Sequence, residues 1–199
     1  VFKLSSRARE LIFIIDSSGS MSGSSMSQAK KALSKAINRL QPSDRFNIID
    51  FDDNFDPLFD SAMPAIQSNI SFANLFINGL NAEGGTHMLD PISYALRSRD
   101  SNSKNYLRQI VFITDGQTGN EKALFTRLQT SIKDDRFFKI GIGSAPNSYL
   151  LTKLADFGKG TFTYIGSQNE VTQKMNELFV KLESPALTDI KVNFPPEIN

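Results

Sequence analysis

Five short apolar runs, at residues 11–15, 46–51, 110–114, 137–142 and 161–165, constrain the fold more than any other feature of this chain. Each is rich in β-branched or aromatic residues and is bounded by Gly, Asp or Ser, the pattern of a strand buried on both faces. Between the runs the apolar spacing changes to the helical period. Met26, Ala29, Leu33, Ala36, Ile37 and Leu40 mark a first helix opening near Ser25. A second pattern starts at Pro64 and continues through Ile66, Ile70, Ala73, Phe76 and Ile77. A third opens at "DPISYAL", with Asp90 as N-cap and Pro91 in the first turn. Asn120 opens a fourth and Pro146–Asn147 a fifth that stops near Gly158, and the last helix lines up Val171, Met175, Leu178, Phe179 and Leu182. Strand and helix alternating in this way predict an α/β fold. It is a three-layer αβα, doubly wound, Rossmann-like arrangement around a mostly parallel six-stranded sheet. "NFDPLF" at 54–59 follows its predecessor after too short a turn for a parallel return, so it is expected as a short antiparallel edge strand.

The chain has 199 residues, enough for one large domain with a sizeable core. Residues 1–184 form that domain in this reading. The Pro-punctuated "SPALTDIKVNFPPEIN" marks a change of character, and 185–199 are expected to be an exit linker and the start of a neighbouring β-rich segment. A formal net charge of +1 with no long basic run argues against nucleic acid or an anionic membrane as partner. The apolar runs are far too short to span a bilayer, and residues 1–10 have no signal-peptide core. Cysteine is absent and His87 is the sole histidine, which removes thiolate chemistry and the imidazole-rich zinc centres.

Two strands end in aspartate at the edge where doubly wound sheets gather function: "FIIDSSGSM" places Asp16 and "VFITDGQTG" places Asp115. If these strands are neighbours across the point where strand order reverses, both carboxylates face one crevice. Within D-x-S-x-S, Asp16, Ser18 and Ser20 can converge as the chain curls over the strand end, and Gly19 lets that turn close. The loop "AEGGTHMLD" can bring the Thr86 hydroxyl to the same place. Carboxylates and hydroxyls without imidazole or thiolate form a hard, all-oxygen donor set suited to Mg²⁺, Ca²⁺ or Mn²⁺. Ser22, Ser24 and Ser25 read as turn and helix start.

"DSSGSM", "GGT" and "TDG", each in its place, resemble a von Willebrand factor A domain with its metal-ion-dependent adhesion site. The resemblance covers roughly residues 8–183. It implies metal ligation by Asp16, Ser18, Ser20, Thr86 and Asp115, with Mg²⁺ first among the cations, and a ligand rim formed by Gly19, Met21 and His87. A narrower similarity links "LQPSDRFNIIDF", "GLNAEGGTHM" and "GTFTYIGSQNEV" to the A domain of inter-alpha-trypsin inhibitor heavy chains. Marine proteobacterial sortase target proteins are more similar still. That similarity implies flanking domains and an extracellular or bacterial cell-surface location.

The expected function is therefore a binding module, not an enzyme: the cation captures an acidic side chain of a protein partner. Two other readings use the same centre, namely metal-assisted phosphoryl transfer or hydrolysis, and an interaction domain whose metal is structural. His87 has no G-x-S-x-G elbow to serve. "DFDDNFD" starts like an EF-hand loop but has Phe55 where glycine is needed and Ser61 where glutamate is needed, so it reads as a solvated turn. "GIGSAP" lacks the third glycine of a dinucleotide loop, and the "NIS" sequon at Asn69 falls inside a helical pattern.

Overall fold

The computed structural model describes residues 8–115, 121–132, 135–143 and 160–183. The proposed fifth helix, the "GIGSAP" turn beyond residue 143, and the 185–199 segment lie outside them. Seven strands form one sheet: β1 (Arg9–Asp16), β2 (Arg45–Phe51), β3 (Phe55–Pro57), β4 (Met63–Pro64), β5 (Leu107–Thr114), β6 (Arg136–Ile142) and β7 (Phe162–Ile165). The order is β3-β2-β1-β5-β6-β7, with β4 also on β2. All pairs from β2 to β7 are parallel, whereas β3 and β4 run antiparallel to β2. The chain thus winds outward from β1 in one direction, then returns to its other side at β5. This is the mostly parallel, doubly wound sheet that the alternation predicts.

Five helices lie among the described residues: α1 (Ser24–Asn38), α2 (Gln67–Gly79), α3 (Leu89–Arg97), α4 (Glu121–Ser131) and α5 (Val171–Glu183). The period of two along each central strand divides the core into two layers. Leu11, Phe13 and Ile15 pack with the apolar stripes of α1, α2 and α5. Ile12 and Ile14 point the other way, into the layer holding Ile92 and Leu96 of α3 and Leu128 of α4.

The sheet corrects the expected count of strands. Six strands are on the main path, but Pro64, expected to open a helix, joins Met63 in the extra strand β4 against Arg45 and Phe46. Pro64 has no N–H to give a ladder, and an edge is where a sheet accommodates it. The edge thus carries two short antiparallel pieces, not one. Residues 54–59 contain β3 only at Phe55–Pro57; beyond it the Asn47 amide donates to the Phe59 carbonyl at 2.7 Å and accepts from the Phe59 N–H at 3.1 Å. Helix α2 starts at Gln67, and α3 starts one residue before Asp90. Asp90 therefore lies in the first turn, where a carboxylate favours the helix dipole, and Met88 occupies the cap.

At the opposite end from the aspartates, the sheet holds a buried ionic network that the sequence reading missed. Glu10 stands in register with Arg45 on β2 and with Arg108 on β5. Its carboxylate pairs with both guanidinium groups, and all three side chains are buried. Arg108 also holds Asp135 at 2.9 Å, and Arg45 also holds Asp100 at 2.8 Å. Burial pushes the Asp135 carboxyl up from its ordinary value, against the pull of Arg108 and Arg99. Asp100, gripped by Arg45 at the surface, is held down at about 2.

Candidate metal centre

Strand β1 ends in Asp16, whose side chain is fully buried. One carboxylate oxygen accepts the Ser18 backbone N–H at 2.9 Å, and the other accepts the Thr114 hydroxyl of β5 at 2.6 Å. The first bond curls the chain over the strand end; the second ties it to the neighbouring strand one residue before Asp115. Asp115 is also buried, at 7% exposure. The reversal of strand order between β1 and β5 therefore places Asp16 and Asp115 at the ends of neighbouring strands. Burial raises the pKa of Asp16 above its ordinary value, and the negative charge of Asp115 adds to the rise, while bonds from Ser18 and Thr114 oppose it. Like charges gathered in a desolvated site are relieved by a proton or by a cation.

The hydroxyls of Ser18 and Ser20 lie 3.1 Å apart. Adjacent ligands on an octahedral cation with metal–oxygen bonds of about 2.1 Å stand about 3 Å apart, so the spacing fits one hard cation. The carboxylate oxygens of Asp16 offer about four lone-pair positions, more than the bonds from Ser18 and Thr114 use. The donor set is two acids and neutral hydroxyls, and accordingly no group of three or more His, Asp or Glu side chains is placed to hold a metal among the described residues. The "DFDDNFD" stretch is a hairpin turn, with Asp52 accepting the Asn54 N–H at 2.8 Å.

The loop carrying Thr86 is stitched to the first loop by backbone bonds. Glu83 N–H donates to the Ser17 carbonyl at 2.8 Å, and Gly19 N–H donates to the Gly84 carbonyl at 3.1 Å. Gly84 has φ +69°, a backbone conformation that favours glycine. Thr86, half-buried, lies two residues on. His87 is exposed on the rim; its N–H donates to the Asp52 carbonyl at 2.8 Å and its Nδ1 sits 3.2 Å from the Asp53 carbonyl oxygen. Gly19 is exposed as well. Met21 is not on the rim: the short 3-10 turn at Gly19–Met21 rolls its side chain inward, where it is fully buried in the core with Met26.

Asp50, near the end of β2, opens the stretch expected to be a solvated turn, but it is not fully solvated. It is half-buried, and its Oδ1 has no hydrogen-bond partner. Burial, with Asp52 and Asp56 nearby, pushes its pKa up to about 6, against the Ser17 hydroxyl and a backbone N–H. Because this folded value lies above the ordinary 3.8, the native state holds a proton in that window that the unfolded chain has released. The stabilisation is complete in acid and is lost as pH rises through about 4 to 6. Asp50→Asn should therefore match the parent near pH 4 and exceed it above pH 6.5, by about 1–2 kcal/mol after allowance for solvent screening. Thermal melts of both proteins across that range check this; a difference independent of pH would refute it.

Comparison with known proteins agrees with this fold. The family model for the von Willebrand factor type A domain matches residues 9–164. A von Willebrand factor A domain-containing protein of Dictyostelium discoideum is 32% identical over 186 residues, covering 93% of this chain and 20% of that protein. Human inter-alpha-trypsin inhibitor heavy chain H4 is 27% identical over 203 residues, covering 96% of this chain and 22% of that protein. The chain thus spans about a fifth of the length of these relatives. Among solved structures, a von Willebrand factor type A protein from Catenulispora acidiphila superposes with a TM-score of 0.78 at 25% identity, over 86% of this chain and 42% of that one. Proximal thread matrix protein 1 of the mussel byssus, solved with a zinc-occupied MIDAS motif, shares the fold. Its TM-score is 0.67 at 17% identity, over 90% of this chain and 46% of that one. By the family model and by the identity with its relatives, the chain belongs to the von Willebrand factor type A domain family.

Proposed function

We propose that this domain is a divalent-cation-dependent protein-binding module, in which Asp16, Ser18, Ser20, Thr86 and Asp115 hold the ion. The observation that carries the reading is the pair of hydrogen-bonded hydroxyls 3.1 Å apart just after the buried Asp16, at the end of the strand paired with β5, which Asp115 follows. When bound, a cation here supplies a hard electrophilic centre that takes an anionic oxygen. The chain's own residues define which anion. Ser18 and Ser20 add oxygen without adding charge, so the centre favours one more acid, and a protein partner offers it as an Asp or Glu side chain. The first turn of α1 carries no acidic residue and its cap makes no side-chain bond, so its N–H groups favour an anion on the same face. Mg²⁺ suits the set best, with Ca²⁺ or Mn²⁺ as alternatives; the zinc in the mussel protein supports metal occupancy at this place in the fold.

A binding role is favoured over hydrolysis because the sole imidazole, His87, is turned to a backbone carbonyl on the rim. The likeness to an inter-alpha-trypsin inhibitor heavy chain supports a secreted or cell-surface setting with flanking domains. Among the described residues no helix is long and apolar enough to cross a membrane. Titrating Mg²⁺ or Mn²⁺ into chelator-treated protein should give saturable heat and a rising melting temperature. No heat and an unchanged melt at millimolar metal would overturn the reading.

A further inference from the structure

A groove of about 530 Å³ lies along the first two turns of α1, between segments that adjoin in sequence the loops carrying Ser20 and Thr86. One wall is formed by Ser22, Met26 and Lys30, the other by the 80–83 segment with Leu80, Asn81 and Glu83. Its origin is local. Gly23 stands at the groove with φ +74°, and a Cβ built there would meet nothing within 4 Å. The two walls are fastened together at the metal end by the same bonds that fix the loops, from Glu83 to Ser17 and from Gly19 to Gly84. One end of the groove therefore adjoins the loops that carry the proposed metal ligands.

Its charges are placed unevenly. Glu83 is exposed at the metal end, one residue before Gly84. Lys30 is at the other end, where its ammonium donates to the Asn78 carbonyl at 2.9 Å. An ammonium has three donors, so this bond fixes the lysine and leaves two for a ligand. From Ser24 to Lys30 the helix rises about 9 Å, and an extended chain covers that distance in about three residues.

We propose that the groove is a second subsite of the same binding face. It takes a second acidic side chain of the partner segment, three or four residues along from the metal-captured one, on the Lys30 ammonium. Glu83 disfavours an acid at the position immediately after the captured one, so the pattern is an acid, neutral or basic residues, then an acid. This subsite rests on the metal-dependent reading given above, and the experiment separates the two.

The probe is a displayed peptide library with one fixed Asp followed by randomised positions. It is selected on the domain in Mg²⁺, and bound members are released with chelator. Asp or Glu should be enriched at least tenfold over the input at the third or fourth following position. Lys30→Glu should exchange that preference for Lys or Arg; a Mg²⁺-induced rise in melting temperature equal to the parent's certifies its fold. Chelator-released peptides without the second acid, or with the same preference on Lys30→Glu, overturn the subsite and leave the metal reading standing. Release of nothing by chelator overturns the metal reading, and the subsite with it.

Discussion

Replacing Glu10 by alanine will lower the melting temperature by about 10 °C, corresponding to about 3–5 kcal/mol for a buried ionic group stripped of its partner in a domain of this size. The cost comes less from the ion pairs lost than from what is left behind. Arg45 and Arg108 flank Glu10 on both sides in the ladder, and each is at most 6% exposed. Without the carboxylate two guanidinium groups face each other across β1 in a desolvated layer. Asp100 and Asp135 each hold only the outer side of one of them. Ser103, whose hydroxyl donates to Glu10 at 3.1 Å, keeps only its longer bond to Asp100 at 3.3 Å. The control is the ion pair between Arg39 and Glu183, 2.7 Å long with both partners more than a third exposed. Arg39→Ala should cost at most about 1 kcal/mol, because water screens such a pair. Thermal or urea unfolding of the two variants measures the contrast; equal losses would show that the Glu10 cluster carries no special weight.

That cluster also shows where reading the sequence stopped. The apolar runs were legible because burial on both faces leaves an unbroken stretch of Val, Ile and Phe, and because Asp16 and Asp115 terminate theirs at the functional edge. The charged residues before each run are as regular, in "RELIFIID", "RFNIIDF" and "LRQIVFIT", but their meaning lies in register. Glu10 meets Arg45 and Arg108 only once the strands are laid side by side, and the periodicity of one strand says nothing about that. Met21 failed for a related reason: D-x-S-x-S places alternate side chains correctly up to Ser20, after which the 3-10 turn changes the period and buries the methionine. Pro64 failed because a proline before a helical pattern has two good homes, the first helical turn and a sheet edge, and the pairing with β2 chose the second. Asp50 was hidden because an acid near a strand end reads as solvated, and only the packing around Ser17 shows its oxygen without a partner.

The electrostatics of the candidate centre lead to the second large effect, a crossing of melting curves. Without metal, Asp16→Asn should be at least as stable as the parent, because the substitution removes a buried charge lying beside that of Asp115. The amide can keep both local bonds. Its oxygen accepts the Ser18 N–H, and its NH₂ donates to the Thr114 hydroxyl, which turns to accept. With Mg²⁺ at about a hundredfold excess over its dissociation constant the order should reverse. The parent gains about 2.7 kcal/mol by linkage, a rise of about 5–10 °C, while the variant gains little. Asp16→Ala would lose the metal response too, but it leaves the Ser18 N–H and the Thr114 hydroxyl without the acceptor they share, so a lowered melt in that variant mixes two causes. The asparagine variant separates them. If it responds to Mg²⁺ as the parent does, Asp16 holds no cation. If it melts well below the parent without metal, the carboxylate at the end of β1 is a structural anchor, and the repulsion assigned to it is absent.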